Sequence, residues 1–217
     1  MAYYMIHACL EREWYVRDYL IPSMLEQGIE ENRITVHLDS EKKGCLESCM
    51  EAFSRSDRGG GMWHLQDDVL ISSVFKEVTE EYDYGIACGM ATKYDRRRRI
   101  ITGRTNISGM WYSFPCIRIP NEIAQGCAKW YWSDIANNPV YHYAKDKKHD
   151  DEILRLYVEA YHKNVVVNNI SPNIVDHVDY LIGGSIVNST RVEEVHSLYF
   201  NEPELVEKLR MDLPDRQ

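Results

Sequence analysis

Two rhythms of apolar and polar positions alternate along this chain. Tyr3 to Ala8 is a short apolar and aromatic run of the kind found in a buried strand, and a charged segment follows it at once. From Glu13 to Gln27 the apolar residues Trp14, Tyr19, Leu20, Met24 and Leu25 recur at helical intervals. Ile34 to Leu38 is β-branched and alternating, and Leu46 to Phe53 returns to the helical spacing. This order predicts an α/β fold with a mainly parallel central sheet flanked by helices. Residues 54–61, which end in Gly59-Gly60-Gly61, interrupt the pattern. Met62 to Leu65 then forms an apolar strand that runs directly into Gln66-Asp67-Asp68. A helix is expected from Val69 to Tyr82, a buried strand from Tyr84 to Met90, and an irregular aromatic stretch from Gly109 to Trp132. Asp150 to His162 carries a helical stripe at Ile153, Leu154, Tyr157, Val158 and Tyr161. Val165 to Val167 reads as a strand leading into a loop from Asn168 to Ser189, and Glu202 to Gln217 as a peripheral helix or tail.

A chain of 217 residues with 44% hydrophobic content fits one compact domain, so one active site is sought. It contains no run of roughly 20 apolar residues and no basic segment followed by an apolar one at its start, so a soluble, cytoplasmic chain is expected. The net charge of -9 disfavours a broad phosphate-binding surface. One local exception is Lys93-Tyr94-Asp95-Arg96-Arg97-Arg98-Arg99, either a patch for a polyanionic acceptor or a solvated basic edge. Of the six cysteines only Cys45 and Cys49 lie close together, and without a second pair they do not make a zinc or redox motif. Free buried thiols are the expectation.

Chemistry concentrates at Asp67 and Asp68. In open α/β sheets ligands bind outside the carboxyl ends of strands, and these two acids stand at such an end. A hard divalent cation held there can neutralise a diphosphate. The element order, the strand ending in Asp39 and the segment MWHLQDDVLISSVF together resemble the metal-dependent glycosyltransferases of the GT-A type, with Gln66-Asp67-Asp68 in the position of their DXD motif. A second segment, Pro172-Asn173-Ile174-Val175-Asp176-His177-Val178 followed by Gly183-Gly184-Ser185, is similar to the PxLVxH...S segment of several of these enzymes.

The resemblance implies a single GT-A domain. Residues 1–90 would bind the nucleotide-sugar, 91–200 would complete the metal and acceptor sites, and 201–217 would be peripheral. It implies Mn²⁺ or Mg²⁺ held by Asp68 and His177, and a donor, a UDP-sugar such as UDP-glucose, contacted by His7, Arg12, Asp39, Lys43, Gln66, Asp67, Gly184 and Ser185. Gln66 departs from the motif, where many members carry an acid. Asp39 serves equally as a helix cap, and Arg12 and Lys43 suit surface ion pairs better than donor contacts. Transfer with inversion needs a carboxylate to take the acceptor proton, and Asp151, with Asp150 in reserve, opens the striped helix where the family's base commonly sits. These acids also suit ordinary capping of a helix amino terminus. Trp111, Tyr112 and Arg118 form a candidate acceptor platform. A glycan, a small molecule, a protein or a modified DNA base all fit as acceptor. A nucleotidyltransferase with the same acids, or a noncatalytic sugar- or nucleotide-binding module, are the alternatives.

Overall fold

The computed structural model describes residues 1–90, 103–106, 114–136, 138, 149–184 and 200–214. Strand β1 (Tyr3–Cys9) passes without a loop into a helical stretch, α1 (residues 10–26). Then come β2 (Ile34–Asp39), α2 (Cys45–Ser54), β3 (Met62–Gln66), β4 (Val69–Ile71), α3 (Phe75–Glu81), β5 (Ile86–Cys88) and β6 (Gly103–Asn106). They are followed by β7 (Cys116–Ile119), α4 (residues 121–135), α5 (Asp150–Tyr161), β8 (Val166–Asn169), β9 (Val175–His177) and α6 (Pro203–Asp212).

Seven strands form the central sheet in the order β2-β1-β3-β7-β5-β8-β6, while β4 and β9 pair separately. β2, β1 and β3 are parallel to one another, as are β5 and β8. β7 enters antiparallel between β3 and β5, and β6 closes the far edge antiparallel to β8. Five of the seven strands therefore point the same way, which is the mainly parallel, helix-flanked α/β sheet expected from the sequence.

Side chains alternate across this sheet with the period of two that a pleat imposes. Tyr4, Ile6, Ala8, Trp63 and Leu65 enter one core with Tyr15, Leu20 and Met24 of α1 and Phe75 of α3. Met5, Met62, Ile117, Ile119 and Val167 enter the other with Leu46 and Phe53 of α2, Ile123 of α4 and Leu154 of α5. The helix joining β1 to β2 thus covers one face, and the helix joining β2 to β3 covers the other. Because β2 and β3 flank β1 on opposite sides, the crevice at the carboxyl ends of β1 and β3 is a topological switch point.

Three sequence expectations are corrected. Val69 to Ile71 is a strand, and the helix begins only at Phe75, because the backbone of β4 is claimed by β9. The stretch taken as irregular contains β7 and the start of α4; β7 is only four residues long and carries an internal arginine, which hid its period. The expected loop after β8 contains β9 and the short turn Asp179–Leu181. All six cysteines are free, as expected. Among the described residues no helix is long and apolar enough to cross a membrane.

Candidate functional site

The backbone leaves β3 at Gln66, turns through Asp67 and Asp68, and enters β4. β4 lies antiparallel to β9 with Val69 opposite His177, and the Val178 amide donates to the Asp68 carbonyl at 2.8 Å. This small sheet brings the two segments singled out in the sequence into contact. His177 Nε2 lies 3.3 Å from Asp68 Oδ2, and its Nδ1 lies 3.1 Å from Asp179 Oδ1.

Asp67 ties β3 to β1: its Oδ2 accepts from the Cys9 amide at 2.8 Å, and its Oδ1 accepts from Arg12 Nη1 at 3.0 Å. The same Nη1 donates to Asp68 Oδ2, and Arg12 Nη2 donates to the Gly184 carbonyl at 2.6 Å. Arg12 sits on the first turn of α1, a turn placed over the crevice because no loop intervenes after β1. It is only 5% exposed, so the surface ion-pair role allowed by the sequence becomes a buried bridge across both motif acids. Asp68 Oδ1 is buried without a hydrogen-bond partner.

The charges explain the titration of the site. Burial works against ionisation of Asp68, yet His177 and Arg12 hold it well below the ordinary carboxylate range. Asp67 is raised, by burial and by the neighbouring Asp68 charge. Burial alone would lower His177, but Asp68 and Asp179 on either side lift it to about 10.

The fit to a divalent cation can be judged from these atoms. Asp68 and His177 present oxygen and nitrogen at the spacing of neighbouring ligands on one ion, Asp68 Oδ1 is uncommitted, and Asp179 stands behind the imidazole as orienting carboxylates do in metal sites. Asp67 is committed to Cys9 and Arg12 and contributes charge rather than a free ligand atom. The two residues expected from the sequence as metal ligands are therefore brought together, within a cluster that also holds Arg12 and Asp179.

On the opposite side of the crevice stands the start of α5. Asp150 is buried, and its carboxyl is pushed up to about 6 by burial and by Asp151. Its Oδ2 accepts from the Cys45 thiol at 3.1 Å, and its Oδ1 from the Asp151 amide at 3.0 Å. Asp151, preferred from the sequence as base, is exposed, and its Oδ1 accepts from the Glu152 amide at 2.8 Å in ordinary helix-end fashion. Geometry therefore exchanges the two: Asp150 faces inward and Asp151 faces solvent. His7, paired in register with His37 on β2 and with Gln66 on β3, stands between Asp150 and the Asp68 side.

Other expected contacts fall elsewhere. Both Asp39 oxygens accept backbone amides, from Lys43 at 2.9 Å and Gly44 at 2.8 Å, and so shape the turn into α2 without capping the helix itself, whose N-cap is Gly44. Lys43 is engaged by Glu51 and by Glu41 at 3.0 Å. Arg118 is not an acceptor residue: β7 pairs it with Trp63, toward the amino end of β3, where its guanidinium is buried and donates to the carbonyls of Gly85 and Asp83. A strand position facing the wrong end of the sheet removes it from the crevice. Ser185, Trp111, Tyr112 and the Arg96 to Arg99 run lie outside the described residues.

Sequence reasoning missed Asp179 and Cys45. The motif spacing points to His177 but says nothing of the turn that sets Asp179 behind it, and Cys45 has no partner in sequence because Asp150 lies 105 residues away. No protein-family model matches the chain, and comparison with curated proteins returns none that is similar.

Proposed function

We propose that this protein is a metal-dependent glycosyltransferase of the GT-A type, moving a sugar from a nucleoside diphosphate donor, a UDP-sugar by resemblance, to an acceptor hydroxyl. The observation that carries this reading is the meeting of Asp68 and His177 at 3.3 Å. Two segments that match the family pattern separately in sequence converge at the carboxyl edge of the switch-point strands, where nucleotide ligands bind in such sheets.

Asp68 and His177 would hold Mn²⁺ or Mg²⁺, which supplies charge neutralisation to the leaving diphosphate. Arg12 helps to hold Asp68 ionised, aligns both acids and, through the Gly184 carbonyl, fixes the segment that follows β9. Asp67 secures this turn to the end of β1. Across the crevice the buried Asp150 would take the proton from the acceptor hydroxyl as that oxygen attacks the anomeric carbon, the role that inversion requires of a carboxylate.

The nucleotidyltransferase alternative shares the two acids but would also need a glycine-rich triphosphate loop beside them. Gly59-Gly60-Gly61 lies at the amino ends of the strands, where a side chain at Gly59 would meet the Tyr3 ring at 3.0 Å, and not at the crevice. The test is a panel of nucleotide-sugars with and without Mn²⁺, read as release of free nucleoside diphosphate and as thermal stabilisation. One donor turned over only with metal, and lost in Asp68→Ala, is the expected result. Turnover or stabilisation by nucleoside triphosphates alone would overturn it.

A further inference from the structure

We propose that His7, Cys45 and Asp150 form a second cation site, one for a borderline-soft divalent ion of the Zn²⁺ class and separate from the Asp68 and His177 pair. Each residue comes from a different element: His7 from β1, Cys45 from the first turn of α2, and Asp150 from the first turn of α5. Their ligand atoms, an imidazole nitrogen, a sulfur and a carboxylate oxygen, all lie within 4.8 Å of one another, and Cys45 Sγ is 3.1 Å from Asp150 Oδ2. Around a tetrahedral zinc at ordinary bond lengths such atoms stand roughly 3.3 to 3.7 Å apart, so closing the group needs movements of about 1 Å.

The chemistry of the ligands selects the ion. A thiolate and an imidazole suit zinc, whereas Mg²⁺ and Mn²⁺ prefer the oxygen-rich surroundings of Asp68. One turn further along α2, Cys49 joins His7 and His64 in another group whose ligand atoms lie within 4.8 Å, so the wall behind the site is also soft. His64 is buried with its Nδ1 lacking a hydrogen-bond partner, and Cys49 Sγ lies 3.8 Å from its Nε2. Cys45 is partly exposed, which gives an ion a route from the crevice. On binding, the Cys45 thiol proton, now shared with Asp150, goes to solvent, and the sulfur and the carboxylate both turn to the metal. CLESC alone gave no zinc motif; the second half of the ligand set comes from β1 and α5.

An ion so held would occupy Asp150, so Zn²⁺ should block transfer. That consequence, unlike the binding, rests on the transferase reading.

The experiment uses the full reduced chain, stripped of metal, titrated anaerobically with Co²⁺ as a spectroscopic substitute and back-titrated with Zn²⁺. The expected result is a thiolate-to-cobalt charge-transfer band that saturates at one equivalent of Co²⁺ and is abolished by Zn²⁺. The band is expected to be absent in Cys45→Ala and retained in Cys127→Ala, whose buried thiol lies on α4 and belongs to neither ligand group. Asp150→Asn should keep the band and weaken Zn²⁺ at least tenfold. A wild-type chain without the band, or a band that survives Cys45→Ala, overturns the proposal; circular dichroism of each variant separates loss of ligand from loss of fold. With an active donor in hand, Zn²⁺ inhibition relieved at least tenfold in Cys45→Ala supports the regulatory consequence. A chain that binds Zn²⁺ through Cys45 but turns over no donor refutes the transferase reading and leaves the site standing.

Discussion

At the scale of single residues the crevice is an exercise in compensated burial. Two adjacent carboxylates are withdrawn from water, and Arg12 and His177 return the missing charge. Removing one partner of such a group leaves the other uncompensated, at a cost of about 3 to 5 kcal/mol. Arg12→Met should therefore melt at a markedly lower temperature than the parent, and Mn²⁺ should restore more stability to the variant than to the parent, because the ion then answers charge that His177 alone leaves uncompensated. Equal melting of the two chains without metal would show that the guanidinium is dispensable. The acids across the crevice divide differently. A positioned base contributes roughly 10² to 10⁴ in rate, so Asp150→Asn should lose that factor in kcat while Asp151→Asn stays near the parent. Steady-state transfer by both variants decides between them, and the reverse outcome would return the role to Asp151.

At the scale of elements, the strands and helices of the first sixty residues could be read because each carries one clear period. The later ones could not. β4 is three residues, β7 four and β9 three, too short for any period to declare itself, and each owes its existence to a partner distant in the chain. The same cause limited the site. Asp67, Asp68 and His177 were legible because motifs mark them, whereas Asp179 and Cys45 acquire their surroundings only through β9 and α5. Arg118 was misread because polar character was visible and strand direction was not. It now serves as a test of the fold. Its guanidinium grips Gly85 and Asp83 at the entry to β5, so Arg118→Met should lower stability by about 2 kcal/mol with the KM values for donor and acceptor unchanged. Gly85 itself has φ +64, and an added Cβ would meet the Val166 carbonyl oxygen at 2.7 Å. Gly85→Ala should cost at least about 1 to 2 kcal/mol from the left-handed backbone alone, and denaturant unfolding would measure it.

At the scale of the whole molecule, one sheet with a core on each face holds the crevice, and both halves of the chain supply it. Arg12, Asp67 and Asp68 come from the first ninety residues; Asp150, His177 and Gly184 come from the remainder. Binding confined to the folded state adds stability by mass action, about 2.7 kcal/mol at a hundredfold excess over Kd. Mn²⁺ should therefore raise the unfolding temperature of the parent chain and leave that of Asp68→Ala unchanged, and calorimetry showing the same shift in both would place the ion elsewhere. The pairing of β4 with β9 has a consequence for how the protein is made. Synthesis proceeds from the amino end, so β1, β2, β3 and Arg12 have left the ribosome about a hundred residues before the partner of β4 appears. Until then the acidic turn has its arginine but not its imidazole, and the proposed pair of Asp68 and His177 is incomplete. On the proposed reading, a cation could settle between Asp68 and His177 only once β9 has been made, so shorter nascent chains would not trap it there.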